Sequence, residues 1–169
     1  MENDFITIIG NLTKSLLPIQ ALIAGLSYCF GIAFFITALF HLHKIGGTSR
    51  SSNAENTFVP IAYLLAGTAL VFLPSAMGGL ANTAFGTGNI LQYTDFNRLN
   101  IINSMNIMIK TAGLLWFVRG CVLLAHASEP GVQHGSKGMA FLCAGVLANN
   151  FQSTIVFLNW AMDKLASLR

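Results

Sequence analysis

Any chemistry in this sequence would have to start from Lys110, Arg119, Asn149, Asn150 and Gln152, because these polar side chains fall inside stretches that are otherwise apolar. Lys110 and Arg119 are nine residues apart, which sets them roughly 180° from each other around a helix. Either both snorkel toward opposite interfaces, or one faces a water-filled lumen or a partner's carboxylate. The three amides either hydrogen-bond to another helix or subunit, or line a hydrated pathway. Nucleophilic catalysis needs a His, Asp or Glu beside a Ser or Cys. Here His41, His43, His126 and His134 are predicted at helix ends or in loops, away from Cys29, Cys121 and Cys143. His41 and His43 would point about 160° apart on a helix, which argues against a shared metal. The cysteines lack metal-site spacing and read as small buried hydrophobes. The reading is therefore of a non-enzymatic chain with no cofactor and no metal.

The elements that carry these residues are set by composition. Of 169 residues 54% are hydrophobic and 9% charged, against about 25% charged in a soluble domain. Four windows, residues 18–42, 59–80, 103–125 and 138–160, reach the roughly 20 residues of helix that cross a hydrocarbon layer about 30 Å thick. The expectation is an all-α polytopic membrane protein with four transmembrane helices in one membrane domain, residues 1–169. The net charge of +3 is scattered, with no basic run, so direct nucleic-acid binding is not expected. The acidic start, Met1-Glu-Asn-Asp, and the length of the first window mark that span as retained rather than as a cleaved signal.

The chain also repeats itself. The stretch from Ala62 to Ser75 returns seventy-eight residues later as Ala140 to Ser153, with five of fourteen positions identical. Ahead of it, Gly31-Ile-Ala-Phe-Phe-Ile is echoed by Gly113-Leu-Leu-Trp-Phe-Val, eighty-two residues on. A duplicated helix–loop–helix unit follows. It predicts a first hairpin over 18–80, an interfacial connector over 81–102 and a second hairpin over 103–160. Residues 1–17 are predicted as an amphipathic lead-in that turns inward at Pro18. Pro74 should kink or end the second helix, with irregular backbone after it.

Small residues mark the packing faces, because helices in lipid approach closely where side chains are small. Ala21 with Gly25, Ala62 with Ala66 and Gly67, and Ala140 with Ala144 and Gly145 fall at this spacing, and Gly113 and Gly120 lie on the third span. Two hairpins return the chain to its starting side, so both units point the same way. The four histidines, Lys44, Arg50 and Lys137 then share one side; the basic residues are too evenly divided to orient the chain.

With the repeated hairpin, the Ala-Gly motifs, Leu73-Pro74 and the loop pair His43-Lys-Ile-Gly-Gly47 and His134-Gly-Ser-Lys-Gly138 in view, the chain resembles the IcmC/DotE/DotV family, which extends to IcmD/DotP and TraQ-type proteins. The resemblance covers roughly residues 18–160. It implies a multi-pass subunit of the bacterial inner membrane in a type IVB secretion (Dot/Icm) or conjugation apparatus. Its partners would be other subunits of that apparatus, copies of itself and lipids, with energy supplied by a partner ATPase. A pilin-like subunit of a conjugative pilus is the alternative, and a small membrane transporter a weaker one, since no carboxylate falls within the spans.

Overall fold

In apolar surroundings every backbone N–H and C=O must be satisfied locally, and a helix does this within one segment. The computed structural model describes residues 2–47, 54–86 and 101–167, with side chains over 7–46, 58–86 and 103–167. Among the described residues there are six helices and no strand: α1 (Glu2–Gly47), α2 (Ala54–Val71), α3 (Leu73–Phe85), α4 (Ile101–Ala127), α5 (Gly135–Asn149) and α6 (Phe151–Ala166). α1 and α4 are long and apolar enough to cross a membrane, and there are four such elements if each bent pair, α2 with α3 and α5 with α6, counts as one crossing.

Three expectations are corrected. The lead-in and first span are one helix of 46 residues that runs through Pro18 without a break, because a proline removes one N–H donor and bends a helix without having to end it. The fourth window is not a straight helix: it breaks at Asn150 and turns by 100°. The second window breaks at Phe72 and turns by 101°, the kink expected near Pro74, but the segment after it, expected as irregular or interfacial, is helical to Phe85. Phe72 and Asn150 are equivalent positions of the repeat. Most of the connector predicted over 81–102 lies outside the described residues.

α1 packs along α2 and α4 along α5, and the two hairpins meet through α1 and α4 and through α2 and α4. Their common core includes Phe34, Ala38, Tyr63, Leu70, Phe117, Cys121, Ala125 and Val146. Each hairpin is closed by a glycine pair. A Cβ on Gly31 would stand 2.9 Å from both the Gly67 carbonyl oxygen and the Val71 nitrogen. In the second copy a Cβ on Gly113 would stand 2.9 Å from both the Gly145 carbonyl oxygen and the Asn149 nitrogen. The repeat therefore reproduces a backbone-to-backbone contact, atom type for atom type. Gly120 extends it, since a Cβ there would lie 2.6 Å from the Leu142 nitrogen.

At each break one carbonyl near the bend accepts from a side-chain hydroxyl. Pro74 has no N–H to offer Leu70 four residues back, and the buried Ser27 hydroxyl of α1 reaches the Leu70 carbonyl at 3.2 Å, shared with Ala24 at 2.9 Å. In the second copy the Thr154 hydroxyl reaches back across the bend to the Leu147 carbonyl at 2.8 Å.

Gly145→Ala should lower the stability of the folded chain by about 1–3 kcal/mol, the usual cost of overpacking, because the new methyl meets backbone 2.7 Å away at the Phe117 nitrogen. Gly25→Ala, which meets nothing within 4 Å, should be neutral or add up to about 1 kcal/mol through helix propensity. Denaturation in mixed detergent micelles measures both, and equal effects would refute the glycine contact.

Candidate functional site

The polar residues that the fold brings together lie at one end of the bundle. Phe34 and His41 are seven residues apart on α1 and so share a face. Tyr63 projects from α2, His126 from the last turn of α4, and Glu129 from the turn that follows. Tyr63 is 3% exposed, and its hydroxyl donates to Glu129 Oε1. The His41 ring stacks on it at 5.8 Å and 17°. Phe34 and His126 meet it edge-on, with centroids at 5.3 Å and 6.1 Å.

Both imidazoles are oriented by their own helices. His41 Nδ1 lies 3.0 Å from the Thr37 carbonyl and His126 Nδ1 2.9 Å from the Val122 carbonyl. A carbonyl only accepts, so each Nδ1 carries a proton and Nε2 is left as the second site of the ring. The cluster joins the first copy (α1, α2) to the second (α4 and its loop) through a charge-assisted hydrogen bond sheathed in aromatic contacts. Hydrogen bonds to charged groups contribute roughly 1.5–3 kcal/mol. Three histidine, cysteine or carboxylate side chains able to hold a metal do not meet among the described residues.

The equivalent of Tyr63 in the second copy is Phe141, and Arg119 lies over its ring at 4.8 Å. Arg119 and Lys110 are both exposed on α4. The amides do not form the interhelical seam that their position suggests. Asn150 Nδ2 donates to the Val146 carbonyl of its own helix at 3.2 Å, Asn149 is half-buried and Gln152 is exposed. All three sit at the break between α5 and α6. The bond that does tie α1 to α4 lies elsewhere, from Gln20 Nε2 to Thr111 Oγ1 at 2.7 Å.

The small-residue faces divide similarly. Ala66, Gly67, Gly113, Gly120 and Gly145 are buried, Ala62 and Ala144 half-buried, and Ala140 exposed. Ala21 and Gly25 are exposed, and a Cβ on Gly25 would meet nothing within 4 Å; the glycine of α1 that lies against another helix is Gly31. The face turned inward is thus the one through Gly31, Phe34 and Ala38. Sequence reasoning passed over Tyr63 and Glu129. The available signal was that Tyr63 differs from its twin Phe141 by one hydroxyl, which a buried site obliges to find an acceptor.

Comparison with protein-family models, curated proteins and solved structures finds no match to this chain.

Tyr63→Phe keeps every ring contact and removes the donor. It should cost about 1.5–3 kcal/mol of folding free energy, whereas Glu129→Gln, which still accepts, should cost about half as much. The same micelle titration decides it, and an unchanged midpoint for Tyr63→Phe would remove the cluster's structural role.

Proposed function

We propose that this chain is a non-enzymatic, multi-pass subunit of a bacterial inner-membrane apparatus of the type IVB secretion or conjugation kind, built to pack into a larger oligomeric assembly. The observation that carries the assembly reading is the length of α1. Its apolar stretch Thr7–Gly46 is 40 residues, about 60 Å at roughly 1.5 Å per residue. The hydrocarbon layer is about 30 Å thick. Even a tilt of roughly 40°, the steep end of what helices adopt, leaves about 46 Å along the membrane normal. Lipid therefore covers part of this helix, and the remainder needs protein.

The remainder is well marked. Ile8, Leu12, Leu17, Ile19 and Leu22 on the N-terminal half of α1 are all exposed in the single chain. Ala21 and Gly25 lie on the same half with open space around them, which suits the close approach of a neighbouring helix. The duplicated hairpin and the loop motifs support the type IVB assignment through resemblance.

Extraction in mild detergent should yield the chain in complexes larger than the monomer, with other membrane subunits or with copies of itself. Ile8→Lys with Leu22→Lys should release the monomer while circular dichroism stays unchanged, since both residues are mostly exposed, at 64% and 61%. A wild-type monomer in mild detergent, or complexes indifferent to both charges, would overturn the assembly reading.

A further inference from the structure

We infer that α6 lies in the plane of the membrane at its surface, as a lipid-headgroup-binding helix and not as the second half of a crossing. The inference rests on the chain's being in a bilayer and is independent of whether it assembles. α5 runs alongside α4, and α4 crosses; α6 leaves α5 at 100°, hence close to parallel with the bilayer plane.

Around the axis of α6 the side chains sort into three sectors. Phe151, Ile155, Leu158, Met162 and Leu165 fall within an arc of about 80°. Gln152, Ser153, Asn159, Asp163 and Lys164 fall within about 140° on the other side, with Val156 and Trp160 among them and Phe157, which meets Phe85 of α3, at the edge. Between the two, Thr154 and Ala161 are half-buried against the rest of the chain. Every residue of the apolar and polar arcs is exposed. The Thr154 hydroxyl, at the edge of the apolar arc, reaches the Leu147 carbonyl of α5, so the apolar arc is turned toward the side on which α5 stands, the bilayer side. The polar arc is turned away from it.

An in-plane helix at mid-depth would hold three polar uncharged side chains and a carboxylate in hydrocarbon without a partner, which the bilayer penalises heavily. At the surface the same arc meets headgroups and water, while the apolar arc continues the lipid-facing surface of the bundle. Trp160, opposite the apolar arc, then lies on the headgroup side of the helix. The break lies level with Gly113 of α4, about 21 Å from Ala127, so a surface at that level requires the roughly 30 Å layer to thin around the bundle. Beyond the break α4 carries Asn103, Ser104, Asn106 and Lys110 among Met105, Ile107, Met108 and Ile109. The apolar N-terminal half of α1 emerges on the same side.

Trp116 and Trp160 are the two tryptophans of the chain, and both are exposed, at 45% and 61%, so Phe at either leaves the packing intact. Trp116→Phe and Trp160→Phe proteins would be reconstituted in phosphatidylcholine–phosphatidylglycerol vesicles carrying a nitroxide on the headgroup or midway down the acyl chain. Trp160 should be quenched at least about twofold more by the headgroup probe, and Trp116 by the acyl-chain probe. Acyl-chain quenching of both would place α6 inside the hydrocarbon and overturn the inference. So would quenching of Trp116 with Trp160 reached by neither probe, which would mean that protein or water covers α6. If neither probe reached Trp116, the bilayer location itself would fall.

Discussion

The rest of the structure depends on two places where helix backbones touch. Between Gly31 and Gly67, and again between Gly113 and Gly145, there is no room for a methyl group. In lipid the hydrophobic effect does not press helices together, so their attraction comes from dispersion at close range and from polar contacts. Removing the side chains at the crossing brings whole stretches of backbone within that range. Once α1 lies on α2 at this distance, Ala38, Tyr63 and Leu70 are carried into the core; once α4 lies on α5, Phe117 and Cys121 follow. The polar cluster around Tyr63 is a consequence, since His41, Tyr63 and His126 converge only if both hairpins are closed.

The same contact explains why both returning helices break where they do. The Gly31 pair ends at Val71 and the Gly113 pair at Asn149, each one residue before its bend. The two copies solve the exposed-carbonyl problem differently. In the first, Pro74 creates the defect and Ser27 on the facing helix supplies the hydroxyl. In the second, Ile109 stands at the position equivalent to Ser27, and Thr154 supplies it from beyond the bend. Thr154 in turn corresponds to Ala76 of the first copy. A hydroxyl lost from one side of the break is thus matched by one gained on the other, as expected when each orphaned carbonyl costs about 1–3 kcal/mol.

The duplication and the glycine positions could be read from the chain because identity at fixed offset survives in sequence whatever the fold does with it. The bend in the first copy was signalled by Pro74. Its twin was not, because Asn149, Asn150 and Gln152 break a helix only in combination with the contact that ends beside them, and amides in an apolar run look equally like a seam between helices. The Ala21 and Gly25 spacing misled for a simpler reason: periodicity tells which residues share a face, not whether that face turns inward. The site around Tyr63 draws on α1, α2, α4 and the turn at Glu129, and no local spacing records such a meeting.

Length supplies the last step. α2 and α5 stop at their bends after 18 and 15 residues, about 27 and 22 Å, while α1 runs to about 69 Å. A hairpin with legs so unequal cannot bury its long leg by pairing with its short one. Within the chain, α4 covers part of the excess through Gln20 and Thr111, and α3 turns aside to pack Leu73, Met77 and Ala81 into the bundle. Ile8, Leu12 and Leu17 are left bare beyond all of these. Two short legs and one long leg that overshoots them make a shape in which the anchored part and the reaching part are distinct. The apolar character of the reaching part is a cost to a solitary molecule that contact with neighbours removes.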